Sequence, residues 1–457
     1  MLSFAVLCVL LGIGHLLRMK IGLLQRLYLP SSVVAGILGL VVVQCCGALG
    51  APVPAEWTAG WGKLPGFLIN IVFACLLMGV TVPSIGTLWR RSGPQLAYGQ
   101  IVAWGQYAVG VGLFLAVIRL AWSHLPAMFG GVLPVGFEGG HGTAGGMAEV
   151  FKTYGWEAGK DFALASATAG IVSAVVIGMA LVNWAARRGY LKSTARVDDL
   201  PPEERSGIVP ESRRVPAGRV TISPGVIGTL SFHLMIVGFA VLIGWGLRSG
   251  LRYLSTLTGN TTFIDIMRGF PLFPLCMLGG LAIQISAQRF DTRKLIDGGV
   301  TKLIMNAALD FLVVAAIATI RVEVLREGLA AFLALVVAGI VWNVFCVTWL
   351  ARRLLPDAWF ERAIAEMGQS MGVTATGVLL LRVVDPEYET PAAEAFAFKQ
   401  LLHEPFMGGG LWTSTAIPLL ALWGGWPVFG IAVGALVAWV VVAVVLRGRR
   451  ASSPSPR

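Results

Sequence analysis

Two stretches of this chain place groups able to do chemistry inside otherwise apolar surroundings. The first reads Gly136-Phe137-Glu138-Gly139-Gly140-His141-Gly142-Thr143-Ala144-Gly145-Gly146-Met147-Ala148-Glu149. Glycine lets the backbone turn sharply and leaves amides unshielded by side chains. The N–H groups at Gly140, His141 and Gly142, with the Thr143 hydroxyl, therefore form a set suited to a carboxylate. A short helix starting near Thr143 would add its positive end. The second stretch reads Gly368-Gln369-Ser370-Met371-Gly372-Val373-Thr374-Ala375-Thr376-Gly377. Gln369, Ser370, Thr374 and Thr376 bring hydroxyls and an amide without formal charge, oxygen donors that suit a hard cation such as sodium or a polar substrate. For both stretches the competing reading is close packing of small residues with no ligand. For His141 the alternatives are a substrate or proton role and a structural hydrogen bond.

A third candidate is Asp310, inside an apolar run, with Asn306 one turn earlier on the same face. A carboxylate inside a membrane is costly and is read first as functional. Asp310 and Asn306 are thus candidates for cation or proton coupling, together with Thr143, Ser370 and Thr374; the competing reading of Asp310 is a helix–helix hydrogen bond. Glu138 and Glu149 fall at the rim of the first stretch. Asp385, Glu387 and Glu389 read as surface charge in a cytoplasmic loop, and Asn70, Asn183 and Asn343 fall in or beside apolar runs without an assigned role. No GxxxxGK[ST] loop is present, which argues against an ATP-driven pump. No HExxH or cysteine pair suggests a metal-dependent peptidase. The six cysteines, Cys8, Cys45, Cys46, Cys75, Cys276 and Cys346, sit in apolar runs and read as small hydrophobes. The chain is read as a non-enzyme, without a cofactor.

These groups need elements to hold them. The chain has 457 residues, 13% charged and 56% hydrophobic, with mean hydropathy +0.77. Charges cluster between long apolar runs, the pattern of a polytopic α-helical membrane protein. Spans are expected near 1–17, 31–49, 66–87, 95–118, 162–186, 225–247, 269–286, 300–320, 328–350, 405–422 and 427–446. The first is read as a span rather than a signal peptide. Segments 128–150 and 366–383 are too rich in Gly, Thr and Ser to be plain lipid-facing spans and are expected to be re-entrant, because irregular backbone at membrane depth must be buried in protein or line a wet cavity. With the N-terminus outside and the C-terminus inside, 26 of the 35 Lys and Arg fall in the inside segments 18–26, 90–91, 187–219, 289–302, 352–362, 382–399 and 447–457. This is the positive-inside bias, and it accounts for the net charge of +11 without nucleic-acid binding. Residues 187–223 read as a cytoplasmic linker and 451–457 as a disordered tail.

The linker joins two similar halves, 1–186 and 224–422. Pro30 opens the apolar run that reaches Gly39, and Pro274 opens a comparable run reaching Gly279-Gly280. In each half a Gly-rich stretch follows at a similar interval, with two further spans between. Five spans per half invert the second copy, and inverted repeats with broken segments are a feature of secondary transporters. The span 427–446 falls outside the repeat.

On the Pro30–Gly39 run, the Gly139-Gly140-His141-Gly142-Thr143 motif before a span, and the 368–377 segment, the chain resembles the bacterial sodium/glutamate symporter family over most of residues 5–422. The resemblance implies two inverted five-helix repeats, each with a re-entrant loop, here with one extra C-terminal helix. It implies sodium-coupled import of glutamate or a related small carboxylate by alternating access, with sodium as coupling ion, in the bacterial inner membrane among its lipids, as a homodimer. By the same resemblance the two re-entrant segments carry the substrate and sodium sites. The second loop departs from the family pattern: Gln369 stands where His follows the first Gly, and Gly377 where Pro follows Thr. A long insertion-like stretch occupies 384–404. Two other readings are a proton-coupled carrier or exporter of the same fold, and a channel or non-transporting scaffold.

Overall fold

The computed structural model describes residues 2–191 and 207–451 and, among these, contains helices and no strand. Of the linker expected over 187–223, residues 192–206 lie outside the described residues, as does the tail beyond Ala451. Nine helical stretches among the described residues are long and apolar enough to cross a bilayer. A bent pair, Thr261–Gly269 and Phe273–Phe290, meeting at 80°, makes a tenth if taken as one span.

The chain divides into two compact units. The first takes the described residues of Met1–Val82, His141–Lys160 and Pro201–Arg321; the second takes those of Pro83–Gly140, Asp161–Leu200 and Val322–Arg457. Each unit draws on both halves of the sequence, and the stretch 136–149 is cut between Gly140 and His141.

In the first unit, helix Gly298–Ala318 packs against Ala55–Cys75 and Ser31–Ala48, and Thr229–Thr258 packs on Phe273–Phe290. Glycine makes these approaches possible. A Cβ at Gly280 would lie 2.1 Å from the Ala74 carbonyl oxygen, and one at Gly36 would lie 2.7 Å from Ile317 Cβ. Without a hydrophobic drive between helices in lipid, close small-residue packing supplies much of the association energy. The span expected at 66–87 begins earlier, after Pro54, and its helix ends at Cys75. Gly79 there takes φ +73°, and any Cβ on it would strike Gly298 at 2.3 Å, so the chain turns where hydropathy alone continues.

In the second unit, Ile85–Leu113 is the central element, contacted by Gly425–Ala451, Ala392–His403 and Leu329–Phe345. It is buried on all sides from Leu96 to Ala103, as expected of a helix inside a bundle. Within the insertion-like stretch 384–404, Ala392–His403 is a helix, with Ala392, Ala395, Phe396, Lys399, Gln400 and His403 buried. The span expected at 405–422 is the 13-residue helix Leu411–Trp423, because Gly408 and Gly409 take φ +63° and +107° and hold the preceding residues out of the helix. Asp385 is buried, not surface charge, and accepts hydrogen bonds from Glu389 N, Thr390 N and Thr390 Oγ1. Glu387 and Glu389 are exposed.

Candidate functional site

Segment Trp359–Val384 is helical in two arms separated by Gly372 (φ −145°, ψ 25°) and Val373 (φ 64°, ψ 171°). Residues nine apart in one straight helix are about 13 Å apart along its axis. Here a Cβ at Gly368 would lie 2.6 Å from Gly377 Cα, and one at Gly377 would lie 2.5 Å from the Ala365 carbonyl oxygen. The arms therefore fold back on each other as a hairpin with its tip at 372–373. Although the segment has the length and apolarity of a span, each arm alone is shorter than the roughly 20 residues that cross a bilayer. Thr376 Oγ1 closes the tip by donating to Gly372 O at 2.5 Å. Val373 is a β-branched residue in the left-handed half of φ space, a conformation that costs about 1–3 kcal/mol and persists only where the surroundings impose it.

The tip meets the first Gly-rich stretch within the same unit. Gly140 has φ +65°, and a Cβ there would lie 2.3 Å from Val373 Cγ1. Two residues before Gly140, Glu138 opens a buried polar network that runs along the hairpin. His403 Nε2 lies 2.5 Å from Glu138 Oε1, and Gln369 Nε2 donates to the same oxygen at 3.0 Å. Lys399 Nζ donates to Glu366 Oε1 at 2.6 Å, Gln400 Oε1 at 2.8 Å and Gln369 Oε1 at 3.1 Å. Gln95 Nε2 donates to the other Glu366 oxygen at 2.9 Å. Gln400 Nε2 donates to Thr374 Oγ1 at 2.6 Å and Glu404 Oε1 at 3.0 Å, and Thr374 Oγ1 donates to Glu404 Oε1 at 2.9 Å. Lys399 and Glu366 have fully buried side chains.

The donors fix the polarity of this network. An ammonium has three donors and no acceptor, so both glutamines turn their oxygens toward Lys399 and their NH2 groups toward Glu138, Thr374 and Glu404. At the other end, the Trp104 indole can only donate, and it does so to Gln100 Oε1 at 3.0 Å. Gln100 Nε2 therefore faces His403 Nδ1, 3.2 Å away. That nitrogen must accept, so His403 carries its proton on Nε2, donates it to Glu138, and is neutral. Two buried carboxylates, Glu138 and Glu366, then face one ammonium, with the half-buried Glu404 at the edge of the network. The second oxygen of Glu138 is buried and has no hydrogen-bond partner, which costs several kcal/mol unless a positive or donating group is supplied.

Of the residues singled out in the sequence, Gly140, Gln369, Ser370, Thr374 and Thr376 belong to this unit. Ser370 Oγ donates to Asn343 Oδ1 at 2.6 Å, and its carbonyl accepts from Gln106 Nε2 at 2.6 Å. His141, Gly142 and Thr143 belong to the other unit, where His141 and Thr143 are buried. Gly142, Gly145 and Gly146 pack there with the closeness of small residues: a Cβ at Gly145 would lie 2.9 Å from Pro65 Cβ, and one at Gly146 would lie 3.0 Å from Ile69 Cγ1. Asp310, also in that unit, is half-buried. Asn306 is exposed. Of the remaining asparagines, Asn70 bonds its own helix at Gly66 O and Asn183 is exposed.

Glu366, Lys399, Gln400, His403 and Glu404 were not singled out by the sequence reading, and Lys399 stood among the cytoplasmic surface charges. Their signal was present: Lys399, Gln400, His403 and Glu404 recur at helical spacing, and Gln95, Gln100 and Gln106 interrupt an apolar helix. A cavity of about 590 Å³ lies beside Gln100, but Trp89, Trp104, Trp412, Trp439 and Phe406 dominate its wall, which makes it a poor host for a carboxylate.

Comparison with curated proteins and with solved structures returns no match. A family profile described as sodium/glutamate symporter matches residues 1–390. The match takes in Glu138, the Gly140–Thr143 motif, Glu366 and the hairpin, and ends before Lys399, Gln400, His403 and Glu404. With 390 of its 457 residues covered, this multi-pass helical membrane protein belongs to the sodium/glutamate symporter family.

Proposed function

We propose that the protein is a sodium-coupled carrier that imports glutamate or a related small carboxylate across the bacterial inner membrane by alternating access. The observation that carries this reading is the unbalanced charge at the meeting of the two Gly-rich segments. Beside Gly140 and Val373, two buried carboxylates, Glu138 and Glu366, face one ammonium, and the free oxygen of Glu138 points to the uptake of a cation. A hard cation such as sodium, or the ammonium group of an amino acid, has the required chemistry. Gly140, Gln369, Ser370, Thr374 and Thr376 are assigned to binding through their place at the hairpin. His141, Gly142 and Thr143 are assigned through the family motif, and Asp310 and Asn306 keep a coupling role only as alternatives. Alternating access is supported by the division into two units, each built from pieces of both sequence halves, which is the construction of inverted-repeat carriers. The His403–Glu138 contact favours one second reading, a proton-coupled carrier in which a proton replaces the cation at Glu138.

The test is uptake of labelled glutamate into proteoliposomes under an inward sodium gradient, an inward proton gradient, or neither. Sodium-driven accumulation above equilibrium is expected, and it should be reduced in His141→Ala and Thr374→Ala protein that remains folded. Accumulation driven by the proton gradient alone would replace sodium with the second reading. Equilibration without accumulation under either gradient would point to a channel.

A further inference from the structure

We propose that Lys399 is a tethered cation: its ammonium fills an oxygen cage that would otherwise take a free sodium ion, so the protein itself supplies one positive charge at the hairpin. The inference goes beyond sodium-coupled transport, because it concerns a site at which no sodium is needed. The cage consists of Glu366 Oε1, Gln369 Oε1 and Gln400 Oε1, at 2.6, 3.1 and 2.8 Å from Nζ. All three are oxygens, one is an anionic carboxylate, and they come from two separate helices. That is a donor set that suits a hard cation, and each ammonium proton has one acceptor in it. The central helix makes room for it: a Cβ at Gly99 would lie 2.5 Å from Lys399 Cε and 2.6 Å from Glu366 Oε1.

A buried ion pair that only joins two helices needs no connection to the hairpin tip, whereas this cage has two. Gln369 binds Lys399 with its oxygen and Glu138 with its nitrogen, and Glu138 precedes Gly140 by two residues. Gln400 binds Lys399 with its oxygen and Thr374 with its nitrogen, and Thr374 follows Val373. The positive charge in the cage therefore sets the orientation of both amides that hold the two sides of the tip. A free cation in the same cage would orient them identically, and a vacated cage would not.

The full-length protein purified in detergent tests this through its thermal unfolding in sodium chloride and in choline chloride at equal ionic strength. Lys399→Ala vacates the cage and should gain a sodium-specific rise in Tm of a few degrees beyond that of the wild type, by binding linkage. Lys399→Arg keeps the charge and should show the wild-type response to sodium. If Lys399→Ala aggregates in choline, the proposal requires that sodium recover a monodisperse, cooperatively unfolding protein. A sodium response no greater than that of the wild type, or failure to fold in both salts, overturns the proposal. Because the readout is sodium binding to purified protein, it stands whether or not glutamate proves to be the substrate, and failure of glutamate uptake leaves it untouched.

Discussion

Glu138 shows what a single buried oxygen implies. Its Oε1 is held by His403 and Gln369, while Oε2 has no hydrogen-bond partner. Glu138→Gln preserves the shape and keeps an oxygen for those two donors while removing one of the unbalanced negative charges. An unpaired buried charge costs the fold its desolvation, and removing it relieves that cost. The expected outcome is an unchanged or higher Tm, with the initial rate of sodium-driven uptake reduced at least about tenfold, equivalent to about 1.4 kcal/mol. A variant that transports at the wild-type rate would remove Glu138 from the site. At this scale the sequence pointed to only part of the buried network. Gln369, Ser370, Thr374 and Thr376 were visible because glycine surrounds them, and glycine marks irregular backbone. Lys399 and Glu366 were not, because nothing in the sequence links two charges 33 positions apart. Asp310 was visible for the opposite reason, standing alone in an apolar run, and the structure leaves it half-buried.

The element that positions this chemistry is the hairpin 359–384, and its strain is concentrated at Val373. Replacing Val373 with Gly removes a penalty of about 1–3 kcal/mol and also the Cγ1 atom that faces Gly140. Gly140→Ala has the reverse effect, because its Cβ would lie 2.3 Å from that atom and its φ of +65° disfavours any side chain. Gly140→Ala should therefore lower Tm and transport together. The double variant Gly140→Ala/Val373→Gly should recover part of both, a coupling of 0.5–3 kcal/mol on the usual scale for residues in contact. Strictly additive effects would mean that the two segments do not press on each other. The Gly-rich composition announced that both segments are irregular, but it could not show which residue turns. Gly372 and Val373 share the deviation, and only tertiary contact makes a valine tolerate it. Helix ends were lost for a similar reason: Ala55–Cys75 runs into a turn that reaches Gly79, and Leu411–Trp423 is bounded by Gly410 and Gly424, backbone turns that hydropathy does not record.

For the molecule as a whole, the division of charge makes a claim about sides, and each unit can be checked against it separately. In the first unit, Arg321 pairs with Glu157, and the Tyr154 hydroxyl donates to Asp265 O; all four residues were placed outside. Asp297, placed inside, donates its amide to Nε2 of His233, which lies in the inner part of the expected span 225–247. In the second unit, Arg91 pairs with Glu394, Arg352 donates to the Tyr190 hydroxyl, and Arg447 donates to Arg353 O; all were placed inside. A missed span would have put at least one member of such a pair on the wrong side, so these contacts support the number of crossings between them. They carry no information on which side is the cytoplasm, and there the argument rests on the 26 Lys and Arg of one side against nine of the other, a bias that sets orientation in membranes. Lys399 is counted among the 26 although it is buried in the network, and setting it aside leaves the bias intact. In a cysteine-free background, single cysteines replacing Lys152 and Arg326 should react with a membrane-impermeant maleimide on intact cells. Cysteines replacing Arg90 and Arg293 should react only after lysis. The reverse pattern would invert the orientation and turn the hairpin to the other face of the membrane. A mixture of the two patterns within either unit would show that a crossing has been miscounted.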